Sequence, residues 1–519
     1  MAYTGIVSTL AVFGFVVLLL KLLSTAFASP LRKFDGPFAA KFTDFWRLID
    51  TYRGRCDITQ TKLHRKYGPA VRIGPNIISL SDPGMIKTVF NVKAPWKKSH
   101  MYNPNDVMVN GVRVSNIFGT TNEEWHTKAV RPIRQLYTMT NVRDFESLLD
   151  PVIARFTRTL EERFMDGENA GKPFDASEWV NYFAWDAMSE MTFSKPFGFI
   201  TEGQDVGGFL SISERSLDYY ASVSQVPVLD FVFDKNPVRR IGPPTFSWAT
   251  DFAVQALGER LARRAVTAEE KSESKKADGK KEAKDFLDCF LEAKVTHPDF
   301  VDDNQVVNYL LINLLAGSDT TAISLGAIIY YTLKNPGVHK KLVDELHNAT
   351  LSFPVAWSET LSLPYLKAVV RETLRIHSGV GLMLERIVPA TGLTLPDGRY
   401  IPGGSVVGMN PWVVHRSEEY FGPNVDEFVP ERWLPMAGET EEEFKKRETK
   451  MKEADLTFGH GTRICMGKNL SKLEADKVVA TLFKYYDLAL VDPNKPWTVK
   501  NSWFTYNKNI NITIAKKKS

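Results

Sequence analysis

Between Asp303 and Lys334 the chain runs for 32 residues with apolar side chains on nearly every helical face, and it stops at Asn335-Pro336, a helix terminator. At about 1.5 Å per residue this is a helix roughly 48 Å long. A helix without a polar face belongs inside a protein, so the fold has to be assembled around it. Within it stand Ala316-Gly317-Ser318-Asp319-Thr320-Thr321. An acid and several hydroxyls in a buried helix are costly unless they find partners. Two readings are open. Either the hydroxyls bond back to carbonyls one turn earlier and Asp319 sits in a salt bridge, or the group carries chemistry.

The chain has 519 residues, 44% hydrophobic and 24% charged, an ordinary globular usage that excludes a disordered chain, a collagen or a long coiled coil. A net charge of +4 makes no case for nucleic acid as a partner. Cys56, Cys289 and Cys465 are far apart and odd in number, so they form neither a disulfide framework nor a paired zinc spacing, and they place the bulk of the chain in a reducing compartment. Ala2 to Leu20 contains no charged side chain, and Lys21, Arg32 and Lys33 come after it. A run of this length spans about a bilayer core, and the positive-inside rule places the remainder on the cytosolic side. Ala26-Phe27-Ala28 offers the competing reading, a cleaved signal peptide. The long apolar run, the missing charged n-region and the cysteine count favour an anchor. The expected organisation is therefore a membrane anchor over 1–28 and one catalytic unit over 29–519, since no compositional linker divides the chain after residue 30.

The remaining pattern is mainly α with small β-sheets. Val71–Leu80 reads as a hairpin around Gly74-Pro75-Asn76, and His100–Asn122 as a long irregular loop. Helices are expected over Glu123–Tyr137 (broken near Pro132), Asp150–Met165, Ala176–Phe193, Pro364–His377 and Lys468–Tyr486. Prolines and aromatics interrupt the helices from Pro227 to Pro244, and the almost purely charged stretch Thr267–Lys284 reads as an exposed, mobile loop. Short strands are expected at Gly392–Leu395, Tyr400–Ile401 and Ser405–Met409, and Ile510, Ile512 and Ile514 alternate with a strand period.

A lone cysteine is most often a small buried apolar residue, but Cys465 stands in Phe458-Gly-His-Gly461-Thr-Arg463-Ile-Cys465-Met-Gly467, just before a helix. Glycines permit a tight loop with exposed N–H groups that can hydrogen-bond a thiolate, and a helix start favours negative sulfur. Arg463 is near enough to meet an anionic cofactor group, and Phe458 to cover the sulfur from water. These residues match F-x-x-G-x-R-x-C-x-G, and from about residue 30 onward the sequence resembles the cytochrome P-450 haem-thiolate monooxygenases of the microsomal type. The resemblance implies a cytochrome P-450 fold preceded by one transmembrane helix. It also implies haem b with Cys465 as the axial iron ligand, the position from which a thiolate favours O–O cleavage, with Phe458, Gly461, Arg463 and Gly467 forming the cofactor loop.

Further motifs agree with it. Glu372-Thr-Leu-Arg375 resembles the family's E-x-x-R, whose i, i+3 spacing puts both side chains on one helical face, and Arg432 in Phe428-Val-Pro430-Glu-Arg432-Trp433 resembles the third member of a buried structural Glu–Arg–Arg network. In the long helix, Asp319 and Thr320 resemble the family's catalytic acid–alcohol pair, with Asp319 relaying protons and Gly317 opening a groove. Arg386 matches a propionate-binding arginine. One place departs from the pattern. The family's W-x-x-x-R is not met, because Ala129 stands four places after Trp125, and His126 and Arg131 remain as alternative substitutes. The stretch His126 to Met139 resembles fungal members such as the pisatin demethylase-like group, which points to secondary metabolite biosynthesis.

The activity implied is insertion of one oxygen atom from O2 into a lipophilic small molecule. No G-x-G-x-x-G follows a strand, so electrons come from a separate reductase; the resemblance implies an NADPH–cytochrome reductase, with cytochrome b5 as an additional donor. Lys468 and Lys472, together with Lys128, Arg131 and Arg134, form the expected docking face. The location implied is the endoplasmic reticulum membrane, single-pass, with the catalytic unit in the cytosol. Competing classes are a haem-dependent isomerase or dehydratase of the same fold and a non-enzymatic haem sensor. Both lack a need for the acid–alcohol pair. Substrate-lining segments are expected in His100–Asn122, in Pro227–Pro244, near Asn313, in Val380–Met383 and at Phe504.

Overall fold

Asp303–Lys334 is one uninterrupted α-helix, N-capped by Asp302, whose carboxylate accepts the Gln305 N–H, and ended at Asn335. The computed structural model describes residues 2–109, 112–236, 238–243, 246–273 and 283–517. By length and composition this central helix could cross a membrane, yet most of its apolar stretch is buried inside the protein. Helices Ala176–Phe193, Ser247–Glu273, Phe286–Thr296, Pro364–Ile376 and Lys468–Tyr485, and the strand Phe504–Lys508, pack around it. One close approach is at Gly317. A Cβ there would lie 2.8 Å from the Met188 side chain, so this glycine lets the central helix meet Ala176–Phe193.

The chain is mainly helical with small sheets. A four-stranded sheet orders Ala70–Gly74, Ile77–Leu80, Val406–Met409 and Leu384–Ile387, of which the first two form the expected hairpin. Tyr486–Leu490, Asn511–Lys516 and Phe174–Asp175 make a second sheet, with Ile512 and Ile514 buried. Thr498–Ser502 and Phe504–Lys508 form a C-terminal hairpin.

Three expectations need correction. His100–Asn122 is not wholly irregular. It holds a 3-10 helix His100–Asn105 and the paired strands Val107–Val109 and Val112–Val114, since its β-branched residues favour strands. The charged stretch does not begin as a loop. Helix Ser247–Glu273 runs into it, because Ala, Glu and Lys are good helix formers even without an apolar face, and 274–282 lie outside the described residues. The segment after Pro227 contains a short helix, Val228–Phe233, tied down by the buried Lys235, which pairs with Asp230 at 2.8 Å and Asp234 at 3.0 Å. Glu123–Val130 ends before Pro132 as expected, and resumes as a 3-10 turn at Arg134–Tyr137.

Glu372, Arg375 and Arg432 meet in the interior. Arg375 grips Glu372 with two parallel bonds of 2.8 and 2.9 Å, Arg432 adds one of 3.0 Å, and the Trp433 indole N–H one of 2.9 Å. The remaining guanidinium hydrogens of Arg375 go to the carbonyls of His415, Val425 and Glu427. Every guanidinium hydrogen of Arg375 is therefore bonded and the loop Phe421–Trp433 is stapled to helix Pro364–Ile376. Removing one partner leaves an uncompensated buried charge, which costs about 3–5 kcal/mol. Glu372→Ala should therefore lower the thermal midpoint sharply or prevent accumulation of folded protein, whereas Glu441→Ala, on an exposed helix face, should change the midpoint little; a melting curve of both variants checks this.

Candidate active site

Cys465 stands between a 3-10 turn, Gly461–Arg463, and helix Lys468–Tyr485. Its own N–H donates to the Phe458 carbonyl at 2.9 Å, which closes the loop. Gly461 has φ +75°, and a Cβ there would lie 2.3 Å from the Phe90 carbonyl oxygen, so only glycine fits. Gly467 caps the helix, and a Cβ there would lie in ordinary contact with the sulfur at 3.9 Å. The backbone N–H groups of Gly467 and Lys468 point at Sγ. Burial pushes the thiol pKa up, and these two donors with the Lys468 charge oppose that rise. The sulfur is enclosed by protein yet carries accessible surface, unlike buried Cys56. Phe458 is half-buried beside it.

A second feature lies next to the loop. Lys98, His126, Arg386 and Arg463 form one electrostatic cluster with Glu123. Arg463 is paired with Glu123 at 2.8 Å and also reaches the Thr120 carbonyl at 3.1 Å. Arg386, on the strand Leu384–Ile387, is buried, and desolvation lowers its pKa. Lys98 is buried too, donates to the Phe118 carbonyl at 2.6 Å and lies 4.0 Å from the centre of the Tyr102 ring. Burial, then Arg386 and Arg463, push its pKa well down. The His126 imidazole is held neutral, its pKa pushed to about 3 by burial and by the three cations. Three buried cations thus face one carboxylate, and such an excess is expensive unless an anion completes it. A flat cofactor carrying two carboxylates and an iron needing one thiolate fits this donor set.

The two alternatives left by the broken tryptophan–arginine motif lie in different places. His126 faces the cluster. Arg131 is exposed at the helix end, five residues and about 140° further round, and does not join it. Trp125 instead packs on Phe300, with ring centres 6.0 Å apart. Lys98 is the group that sequence reasoning missed. Lys97-Lys98 looks like an ordinary surface pair, and only the bridge between Lys98 and Arg386 brings it inside.

On the central helix, Ala316 is exposed and Thr320 half-buried, one turn apart on a helix whose other faces are covered. The Thr320 hydroxyl donates to the Ala316 carbonyl at 2.8 Å. Asp319 is buried and points elsewhere. It has no salt bridge among the described residues; its carboxylate accepts from the Trp185 indole at 3.0 Å, the Ser213 hydroxyl at 2.7 Å and the Tyr506 hydroxyl at 2.7 Å. Burial raises its pKa and these three donors oppose the rise. Of the expected lining segments, the His100–Asn122 region, Val380–Met383 and the C-terminal turn converge, with Tyr102, Phe118 and Trp503 in mutual edge contact at 5.6–5.9 Å. Asn313 is not part of that lining. It bridges Tyr137 and Thr192 in the core.

The family model for cytochrome P-450 matches residues 45–514. A cytochrome P-450 monooxygenase of Aspergillus candidus, cfoH, is 36% identical over 503 residues, covering 97% of this chain and 91% of the relative. A cytochrome P-450 monooxygenase of Aspergillus terreus is 36% identical over 493 residues (93% and 94%), and vrtE of Penicillium aethiopicum 34% identical over 493 residues (94% and 90%). With the glycine-bound cysteine loop, the cationic cradle beside it and a match across nearly its whole length, the chain belongs to the cytochrome P-450 family of haem-thiolate oxidoreductases.

Proposed function

We propose that this protein is a membrane-anchored monooxygenase that inserts one atom of O2 into a lipophilic small molecule of fungal secondary metabolism, with electrons from NADPH passed on by a separate reductase. The observation that carries the reading is the Cys465 loop, an accessible sulfur met by two backbone N–H groups and flanked by an excess of buried positive charge. Cys465 would hold the iron of haem b, and Lys98, Arg386, Arg463 and His126 the propionates. The bound haem supplies oxygen activation. The protein supplies a thiolate stabilised by its loop, a cradle that fixes the cofactor, and protons handled by Asp319 and Thr320. That acid–alcohol pair favours a monooxygenase over a peroxide isomerase or a haem sensor, neither of which needs proton delivery. The aromatic and aliphatic group Tyr102, Phe118, Leu217, Leu382, Trp503 and Phe504 supports a lipophilic substrate.

Residues 1–28 would form the anchor and 29–519 the catalytic unit, on the cytosolic face of the endoplasmic reticulum. Helix Ala2–Leu23 exposes Ile6, Leu10, Phe13 and Val17. Where it ends, Arg72 ties it to the body by bonds to the carbonyls of Thr25 at 2.9 Å and Ala26 at 3.3 Å. The adjoining helix Phe45–Tyr52 is inside out. It buries Arg47, Asp50 and Thr51 and exposes Phe45, Ile49 and Tyr52, as suits a membrane surface. For the reductase, Arg131 and Arg134 are exposed, while Lys472 is half-buried near Asp455 and Asp476 and steers less.

Cys465→Ala should abolish the thiolate-type spectrum of the reduced carbon monoxide adduct while Cys56→Ala and Cys289→Ala retain it; a normal spectrum in the first would end the reading. Removal of residues 1–28 should weaken sedimentation with membranes and preserve that spectrum, and N-terminal sequencing of the mature protein starting at Ser29 would instead indicate a cleaved signal peptide. Arg134→Glu should slow reduction by NADPH and reductase at low ionic strength, the difference shrinking as salt screens it, with equal rates counting against this docking face.

A further inference from the structure

The Asp319 carboxylate is held by three donors from three separate elements. Oδ1 takes the indole N–H of Trp185 on Ala176–Phe193, and Oδ2 takes both the hydroxyl of Ser213 on helix Phe209–Val223 and the phenol of Tyr506 on the C-terminal hairpin. All four side chains are buried: Trp185 is 0% exposed, Asp319 2%, Ser213 3% and Tyr506 7%. The same helix and the same hairpin are joined again nearer the surface, where Lys508 meets Glu214 at 2.6 Å and Lys500 meets Asp218 at 2.6 Å. Thr320 is the next residue of the central helix and looks to another side, about 100° round, where Ala316 is exposed.

This arrangement sets a condition on the acid. To serve Thr320, the carboxyl has to leave donors that belong to helix Phe209–Val223 and to the hairpin. We infer that Ser213 and Tyr506 are positioning residues for the oxidation: their hydroxyls keep Asp319 turned into the protein, so that its availability to Thr320 depends on how helix Phe209–Val223 is seated against the C-terminal hairpin. The inference rests on the proton-handling role proposed for Asp319. The groups around the carboxyl are few. Helix Ala176–Phe193 presents Trp185, the hairpin Tyr506 and, further out, Lys508, and helix Phe209–Val223 Ser213 and Glu214, the charged group acting on Asp319, which Lys508 engages.

The test uses the full-length holoprotein, its reductase and no added substrate. The infrared band of the protonated Asp319 carboxyl is assigned as the one that Asp319→Asn removes, and its pH midpoint is followed. A donor to the carboxylate favours the charged form, so its loss raises the midpoint. Tyr506→Phe and Ser213→Ala should each raise it by about one pH unit and speed amide exchange in 209–223, while Ser213→Thr, which keeps the hydroxyl, should return both toward the parent values. Unchanged midpoints in Tyr506→Phe and Ser213→Ala, with the carbon monoxide spectrum intact, would overturn the inference. Asp319→Asn is the separate control: unaltered partition of NADPH between peroxide and water in that variant would remove the role of the acid itself, whatever the other variants do.

Discussion

Burial of the central helix dictates how the rest of the chain is arranged. Its neighbours supply apolar cover, and they also satisfy polar groups that it carries, because an unpaired one costs a few kcal/mol in the interior. Some solutions are local. Ser318, Thr320 and Ser324 donate to the carbonyls of Leu314, Ala316 and Thr320 at 2.8 Å each. The others fix tertiary structure: Asn313 joins Tyr137 to Thr192, Thr321 donates to Glu474 on the helix just after Cys465, and Asp319 draws in Trp185, Ser213 and Tyr506. Polar residues on an interior helix thus determine which side chains its neighbours must present.

The molecule deals with buried charge in two opposite ways. Around Glu372 the set is closed: two arginines, an indole and several carbonyls leave nothing for a ligand to add, and the result is rigidity. Beside the cysteine loop it is open, because Lys98, Arg386 and Arg463 share the single carboxylate of Glu123. An anionic cofactor that completes this set binds the folded chain and not the unfolded one, so its affinity becomes folding stability. The open cluster is therefore suited to the cofactor-binding role proposed for it and the closed one to a staple, although both are built from the same residue types.

Much of this was legible in the sequence. The central helix has the bounds that its apolar run predicts, because helix length is set by a cap and a terminator that are both local. The cysteine loop was legible because its glycines are required by contacts as specific as that of Gly461 with Phe90. What was hidden depends on elements far apart in the chain. Lys98 is recruited by a strand nearly three hundred residues away. Arg131 was open as an alternative to His126 because sequence gives spacing along a helix and not which face is inward. That the missing side chain of Gly317 makes room for Met188 depends likewise on a distant element. Helix Phe45–Tyr52 carries ordinary amphipathic spacing, and only the fold reveals that its apolar face is the outer one.

The two kinds of charge handling also explain why the acid of the central helix has no arginine partner. A nearby guanidinium favours the charged form of a carboxyl, which suits a structural staple but not the proton-handling role proposed for Asp319. Held by three neutral donors in a dry site, Asp319 feels burial pushing its pKa up and hydrogen bonds pulling it down, and burial prevails. Its proton affinity can then respond to the loss or gain of a single donor. The surplus cations of the cofactor cradle belong to strand Leu384–Ile387, Lys98 and the cysteine loop, whereas the donors to Asp319 come from Ala176–Phe193, Phe209–Val223 and the C-terminal hairpin. By assigning the two tasks to different elements, the fold keeps strong positive charge from fixing the state of the acid.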